Sequence, residues 1–301
     1  MPPGTDSVIR LEACRRSGAE IRPLGGVVPG RDIARRGEDF RPGNSMIAAG
    51  APLRPWDLAA LVANDIRRVR VLRRLRVALL SSGDELVAPG SSAAPGAVRD
   101  TTKPLLLGLL AELGIPSVDL GLVPDREGAI RRAVRRGLAE CEVLVTTGGS
   151  SVGERDVVPC AVRRIPGARV IARRIRLRPG STTGVVVVRR QPIFLLSGPP
   201  VAALSGFLAV VEPYLRAVAG SGVRDRATVV ALLDHKIAHS RGVREMVRVR
   251  LVLRRGVRRA IVLERHGASR LSTLTEADGL LILEEGRGSY RKGEPVPVMR
   301  L

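Results

Sequence analysis

The stretch from Cys141 to Asp156 constrains the fold of this chain more than any other. Val143-Leu144-Val145 is a short apolar, β-branched run, which reads as a buried strand. The run breaks at Thr146-Thr147-Gly148-Gly149 and passes through Ser150-Ser151-Val152-Gly153. It then enters the charged segment Glu154-Arg155-Asp156, which reads as a helix start. A strand that ends in a Gly/Ser/Thr turn before a helix suits an anion. Glycines let backbone N–H groups come close to a ligand, and the helix N-terminus adds positive potential. Open α/β sheets also carry their ligands at the carboxyl ends of the strands. The common nucleotide patterns do not fit. Gly148 and Gly153 have Walker-like spacing, but Glu154-Arg155 follows in place of Lys-Ser/Thr, and no Gly-x-Gly-x-x-Gly follows a strand. Taken alone, the stretch reads equally well as a turn without a ligand.

A second loop of the same build lies upstream. Arg76-Val77-Ala78-Leu79-Leu80 reads as a buried strand ending at Ser81-Ser82-Gly83-Asp84-Glu85-Leu86, which carries two carboxylates. Asp100-Thr101-Thr102-Lys103-Pro104 then opens a helix, with Thr101 or Thr102 as cap, Pro104 at its start and Gly114 beyond its end. A strand at Ser117–Gly121, a helix from Glu127 to Ala139 and the Cys141 strand follow. This alternation implies a parallel sheet with right-handed crossovers.

The flanks read more simply. Leu53–Asn64 is an expected helix with Leu58, Leu61 and Val62 on one face, and a strand is expected near Val69–Leu72. After Asp156 a helix reaches Arg164, and Ala168–Arg178 holds a short strand. Gly184–Val188 and Pro192–Leu196 form a hairpin, and a long helix runs to about Ala219. Gln191 to Val211 is uncharged and long enough to span a bilayer, but Gly198-Pro199-Pro200 cuts it, so strand, turn and buried helix explain it better. Gly220-Ser221-Gly222 reads as a linker. Runs at Thr228–Leu233, Val243–Leu253, Ala260–Leu263, Leu280–Leu283 and Pro295–Met299 read as a β domain or barrel. Before residue 53, Ser7–Leu11 and Ala19–Ile21 alternate as strands do. The expected class is α/β: a partial small β domain over 1–52, a three-layer parallel-sheet domain over 53–219, and a β-barrel-like domain over 220–301.

The formal charge of +21 invites a nucleic-acid reading. Yet only Lys103, Lys236 and Lys292 are lysines; the other basic residues are arginines spread over every segment. Aromatic residues, at 2%, are too few for base-stacking platforms. The charge reads as general arginine usage on solvated faces, with no specific nucleic-acid partner and no membrane partner. Cys14, Cys141 and Cys160 are far apart and form neither a zinc pattern nor a disulfide framework, so a reducing cytoplasm is the simple reading. The start, Met1 to Asp6, lacks the basic head and apolar run of a secretory signal. His235, His239 and His266 lack ligand spacing.

The loops, in this order, resemble the molybdopterin molybdenumtransferase family (MoeA and the gephyrin E domain). The family shows Arg-Arg-Gly-Glu-Asp, seen here as Arg35 to Asp39, and a Ser-Thr-Gly-Asp-Glu-Leu loop, here Ser81 to Leu86. An Asp-Ser-Asn helix start stands as Asp100 to Thr102, and a Ser-Gly-Gly-Val-Ser-Val-Gly-x-x-Asp loop as Thr147 to Asp156. Lys-Pro-Gly-Lys stands as Arg178 to Ser181, and Leu-Pro-Gly-Asn-Pro as Leu196 to Pro200. Leu271 to Gly279 resembles part of the family's C-terminal β domain. The family's Ala-Met-Asp-Gly-Tyr-Ala segment and Thr-Gly-Ala-Pro loop have no counterpart, so the resemblance implies an N-terminally shortened member. Arg178 keeps the charge of the first lysine of Lys-Pro-Gly-Lys, and Ser181 loses that of the second.

The resemblance implies a fold with a molybdopterin-binding α/β domain, and a reaction. Adenylylated molybdopterin and molybdate would be the substrates, molybdenum would enter the dithiolene, and AMP would leave with Mg²⁺ assisting. It implies catalytic roles for Glu85, Asp100, Asp156 and Asp39, with Glu85 and Asp100 at the metal. It implies substrate contacts from Ser82, Gly83, Asp84, Thr147, Gly148, Gly149, Ser150, Ser151, Gly153, Arg178, Ser181, Gly198 and Pro200. It also implies a homodimer, and a molybdopterin adenylyltransferase as a possible partner. Plainer roles compete: Glu85 could cap a helix, Asp100 could be a helix-start acid, and Asp156 a first-turn partner of the helix dipole. Two other functions stand beside the transferase. One is a non-catalytic molybdopterin-binding protein that has lost the chemistry; the other is a sister adenylyltransferase, against which the terminal β domain argues. If the charge is only arginine usage, DNA affinity in a salt titration should be weak and collapse with modest salt. Tight, sequence-selective binding at physiological salt would contradict that reading.

Overall fold

The structure, a computed structural model, describes residues 2–148, 157–219, 226–263 and 267–301. The expected Gly220-Ser221-Gly222 linker lies outside these residues. The chain divides into two units, Met1–Ala51 and Pro52–Leu301. The first unit holds one hairpin, β1 (Cys14–Ser17) and β2 (Glu20–Pro23), turning at Gly18 with φ +62°. Ser7–Leu11 is not a strand; a 3-10 turn occupies Leu11–Ala13 instead. The register pairs Cys14 with Pro23, so the hairpin starts beyond the segment that alternation had suggested.

The second unit begins with α1 (Pro55–Ala63), held at its start by Asp57, whose carboxylate accepts the Arg54 N–H at 2.8 Å. Of its expected apolar face only Leu61 is buried; Leu58 and Val62 are exposed. Val69–Leu72 is not a strand, and Val71 and Leu72 are exposed. Alternate apolar residues there pair with no strand, and the strand that follows is already flanked on both sides.

That strand is β3 (Val77–Ser82). A short parallel ribbon, β4 (Leu86–Val87) with β5 (Val98–Arg99), leads to α2 (Thr102–Glu112). Then come β6 (Ser117–Val123), α3 (Glu127–Glu140), β7 (Val143–Thr147), α4 (Val157–Arg163) and β8 (Ala168–Ala172). β9 (Leu177–Arg178) follows, then the hairpin β10 (Gly184–Val188) and β11 (Gln191–Leu196). A continuous helix covers Pro200–Ala219 as α5 (Pro200–Gly206), a π turn over Phe207–Val211 and α6 (Glu212–Ala219). It is long and apolar enough to cross a membrane, but 61% of its apolar window is buried inside the protein.

The sheet order is β6-β3-β7-β11-β10-β8. β6, β3, β7 and β11 run parallel; β10 is antiparallel to its neighbours β11 and β8, and β8 runs in the common direction again, so the sheet is parallel-rich rather than wholly parallel. Side chains alternate across it, as the two-residue period of a strand requires. Val77 and Leu79 face Leu106 and Leu110 of α2 and Phe207 and Leu215 of the long helix. Ala78 and Leu80 face Ile130 and Val134 of α3 and Val158 and Val162 of α4. Three layers result.

The C-terminal region is a closed barrel of five strands. β12 (Thr228–Leu233), β14 (Arg244–Arg254), β15 (Val257–Val262), β16 (Gly279–Leu283) and β18 (Pro295–Arg300) close it, with β15 pairing to both β12 and β14. Between them lie α7 (Ser272–Thr275) and a small ribbon, β13 (Ile237–Ala238) with β17 (Ser289–Tyr290). Leu233, Val247, Val249, Leu281 and Val298 fill the barrel. Met246 and Leu280 point outward into the core that also holds Phe207 and Leu215. β9 joins β14 in parallel, Leu177 opposite Arg244 and Arg178 opposite Glu245. A segment from the middle of the α/β domain is thus a strand of the barrel sheet.

α3 lies very close to the sheet at Gly137. A Cβ there would stand 2.6 Å from Leu144 Cδ1 and 2.8 Å from Leu120 Cδ1. Gly137→Val should therefore cost about 2 kcal/mol or more, read as a lower urea midpoint; an unchanged midpoint would show that this contact relaxes freely.

Candidate functional site

The carboxyl ends of β3, β6, β7 and β11 lie side by side, and polar side chains tie them together. Ser81 and Thr147, both buried, meet through their hydroxyls at 3.0 Å. Ser82 Oγ donates to Asp125 Oδ1 at 2.5 Å, and the Asp125 N–H donates to Asp84 Oδ1 at 3.0 Å. The loop after β3 is thereby clamped to the turn after β6. Gly148, with φ +85°, crosses so close to β3 that a Cβ would overlap the Ser82 carbonyl oxygen. Gly198 in turn sits over Gly148, its Cβ position 3.5 Å from the Gly148 Cα. Thr102 Oγ1 donates to the Gly198 carbonyl at 2.5 Å, bringing the start of α2 to the same place. Thr182 Oγ1 and Ser197 Oγ are 2.5 Å apart, which attaches the loop after Gly180.

The start of α2 is built differently from the sequence expectation. Neither threonine caps the helix: Thr101 makes no capping bond, and the Thr102 hydroxyl is engaged by Gly198. Asp100 takes the role, its Oδ1 accepting the Lys103 N–H at 3.1 Å. Asp100 is 4% exposed, and its Oδ2 has no hydrogen-bond partner. A buried carboxylate oxygen left without a donor is costly. It is also a hard oxygen of the kind that binds Mg²⁺, which commonly takes one or two carboxylates together with substrate phosphates.

Glu85 is exposed, folded back so that a Cβ on Gly83 would stand 2.9 Å from its Oε1. The ribbon register, Leu86 with Val98 and Val87 with Arg99, makes Glu85 and Asp100 leave the ribbon at opposite ends. Among the described residues, no group of three or more His, Cys, Asp or Glu is set around one ion. Gly149, Ser150, Ser151, Gly153 and Asp156 lie outside the described residues. Asp39 is exposed in the first unit, beside a turn in which Glu38 accepts the Arg35 N–H at 2.7 Å. Pro200 is buried at the first turn of α5. That helix start offers little to an anion: prolines at 199 and 200 have no N–H, and the Val201 N–H goes to the Ala268 carbonyl at 2.9 Å.

Arg178 is exposed on β9, and among the described residues it makes no ion pair. Ser181 does not leave its position without a cation. Arg174, from the turn between β8 and β9, brings its guanidinium to within 3.3 Å of Ser181 Oγ. Three residues around the strand ends were not singled out from the sequence: Asp125, Arg174 and, in the first turn of α2, Lys103. Asp125 follows a strand and precedes a helix, so the rule that singled out Asp84 would have found it. Arg174 carries no such signal, because only the crossing from one sheet to the other aims it at Ser181.

Three family models tile the chain. The one described as MoeA N-terminal region (domain I and II) matches residues 1–64, and the probable molybdopterin binding domain matches 78–217. The MoeA C-terminal region (domain IV) matches 230–301. The chain belongs to the MoeA family.

A molybdopterin molybdenumtransferase from Nostoc is 30% identical over 81% of this chain and 57% of its own length. A putative molybdopterin biosynthesis protein from Methanocaldococcus jannaschii is 27% identical over 100% of this chain and 74% of its own. Among solved structures, the molybdopterin biosynthesis MoeA protein from Pyrococcus horikoshii superposes with a TM-score of 0.77 at 27% identity, covering 98% of this chain and 72% of that one. The chain thus spans between about half and three quarters of the length of such relatives. The likeness supports a place in molybdenum cofactor biosynthesis.

Gly148 is the residue on which this MoeA-type floor turns. Gly148→Ala adds both a strained φ and an overlap with Ser82, on the order of 3 kcal/mol. Denaturant unfolding should show that loss; a stability within about 0.5 kcal/mol of the parent would remove Gly148 from its place over β3.

Proposed function

We propose that this chain binds adenylylated molybdopterin at the ends of β3, β6, β7 and β11 and inserts molybdate into it with release of AMP. The observation that carries this reading is the convergence of Ser82, Asp125, Thr147, Gly148 and Gly198 with the start of α2. Hydroxyls and closely packed backbone turns at strand ends suit a polar, phosphorylated ligand. Gly83, Asp84 and Pro200 line this region of the reading. Gly149, Ser150, Ser151, Gly153 and Asp156 extend it through the family motif alone.

Arg178 and Arg174 are the cations of the reading. Both are exposed, and Arg174 stands where the second motif lysine gives way to Ser181. Together they would hold molybdate, whose oxygens suit guanidinium forks. Asp100, with an oxygen that has no hydrogen-bond donor, is the carboxylate best suited to Mg²⁺; Glu85, at the opposite end of the ribbon, is assigned to the ion through the family motif alone. When bound, that ion would neutralise charge on the phosphates during AMP departure. Asp39 joins the reading only through a homodimer, in which a second copy supplies it. A molybdopterin adenylyltransferase would be the source of the substrate.

The assay is AMP release from adenylylated molybdopterin with molybdate and Mg²⁺ present. Glu85→Gln should lower turnover at least a hundredfold while leaving ligand binding within about threefold, since it removes charge with little change of shape. Arg174→Ala should raise the molybdate concentration needed for half-maximal rate about tenfold, a loss of about 1.4 kcal/mol. Ligand binding without turnover in the parent chain would instead favour the non-catalytic molybdopterin-binding protein. Unchanged turnover in Glu85→Gln would remove Glu85 from the site.

A further inference from the structure

Lys103 stands between two carboxylates and is committed to the wrong one for a simple helix-start pair. Its Nζ lies 3.0 Å from Asp119 Oδ1 on β6 but 3.9 Å from Asp100 Oδ2, beyond hydrogen-bonding reach. The Lys103 side chain is 12% exposed and that of Asp100 3%, so both are largely withdrawn from water. Asp119 is 45% exposed, and the same Oδ1 accepts the Gly121 N–H at 2.7 Å. The more exposed carboxylate therefore holds the ammonium, and the buried one keeps an oxygen with no donor. Burial penalises a charge whose counter-ion stays beyond hydrogen-bonding reach, so Asp100 Oδ2 would gain most from a closer cation.

We infer that Lys103 is a built-in counter-charge for Asp100, parked on Asp119 while a divalent cation holds Asp100 and drawn onto Asp100 when that cation leaves. Lys103 and a divalent ion compete for one buried oxygen, and Asp119 sets the balance by holding the ammonium away. Lys103 is thus a positioning residue and Asp119 its anchor. The inference rests on the reading of Asp100 as a cation ligand given above. It adds two residues outside the loops that carry the family resemblance.

The test is titration of the full chain with Mn²⁺ alone, following the free-ion signal by electron paramagnetic resonance. The parent chain should bind Mn²⁺, and Asp100→Asn should abolish that binding. Lys103→Met should tighten binding at least fivefold by removing the competitor. Asp119→Asn should weaken it at least threefold by releasing the ammonium onto Asp100. General electrostatics would give shifts of the same signs, so the double variant decides. With Lys103→Met already present, Asp119→Asn should have no further effect, because Asp119 acts only through Lys103. Additive shifts would overturn the inference and leave Asp100 as a ligand. Binding that survives Asp100→Asn, or no binding by the parent chain, would overturn the inference and the Asp100 reading together. Should Lys103→Met fail to fold, Asp119→Asn alone must weaken Mn²⁺ binding, and unchanged affinity would refute the anchor.

Discussion

The close passage of Gly148 over the Ser82 carbonyl is the constraint on which the rest of the arrangement depends. No side chain fits between the two segments, so β7 leaves the sheet directly over the end of β3. That approach lets Gly198 lie on Gly148, and lets Thr102 reach the Gly198 carbonyl. The ends of four parallel strands and the start of α2 then share one polar floor. Each hydrogen bond in it contributes only about 1 kcal/mol net. Their joint effect is positional: Ser81 to Thr147, Ser82 to Asp125 and Thr182 to Ser197 fix loops that would otherwise move independently.

The barrel is tied to this floor by more than a linker. β9 leaves the α/β domain to pair with β14, and Met246 and Leu280 pack into the core beneath the long helix. Buried charges reinforce the join. Glu212 of α6 holds Arg216 at 2.6 Å and Arg226, just before β12, at 3.0 Å. Breaking a pair buried to this degree leaves an uncompensated charge, which resists separation of the two parts. Arg174 and Arg178 both lie on the segment that crosses from one sheet to the other. The cations of the proposed site therefore depend on the domain junction, and the hydroxyls on the α/β sheet alone.

Much of this was legible in the sequence, for a definite reason. β3, β7, β11 and the barrel strands are apolar runs bounded by turn residues, and both faces of the central strands are buried. Such segments announce themselves. The strand-end loops were legible too, because Gly148 and Gly198 stand where backbone must come close. What failed was anything decided by a partner distant in sequence. Val71 and Leu72 look like a strand but have no neighbour to pair with, and Leu58 and Val62 look like a buried face but are exposed. Thr102 looks like a cap but is captured by a carbonyl from β11's loop, which leaves capping to Asp100. The family resemblance located the motif residues. It gave no sign that Arg174 would stand at Ser181 or that Lys103 would sit between Asp100 and Asp119.

The central claim is that the ligand sits on the floor formed by the four strand ends. Hydrogen–deuterium exchange of the full chain, with and without molybdopterin, tests it most directly. The account predicts new protection in residues 81–87, 122–126, 145–148 and 196–203, with barrel strand β15 unchanged. Protection confined to the barrel or to residues 1–51, or none at saturating ligand, would contradict it.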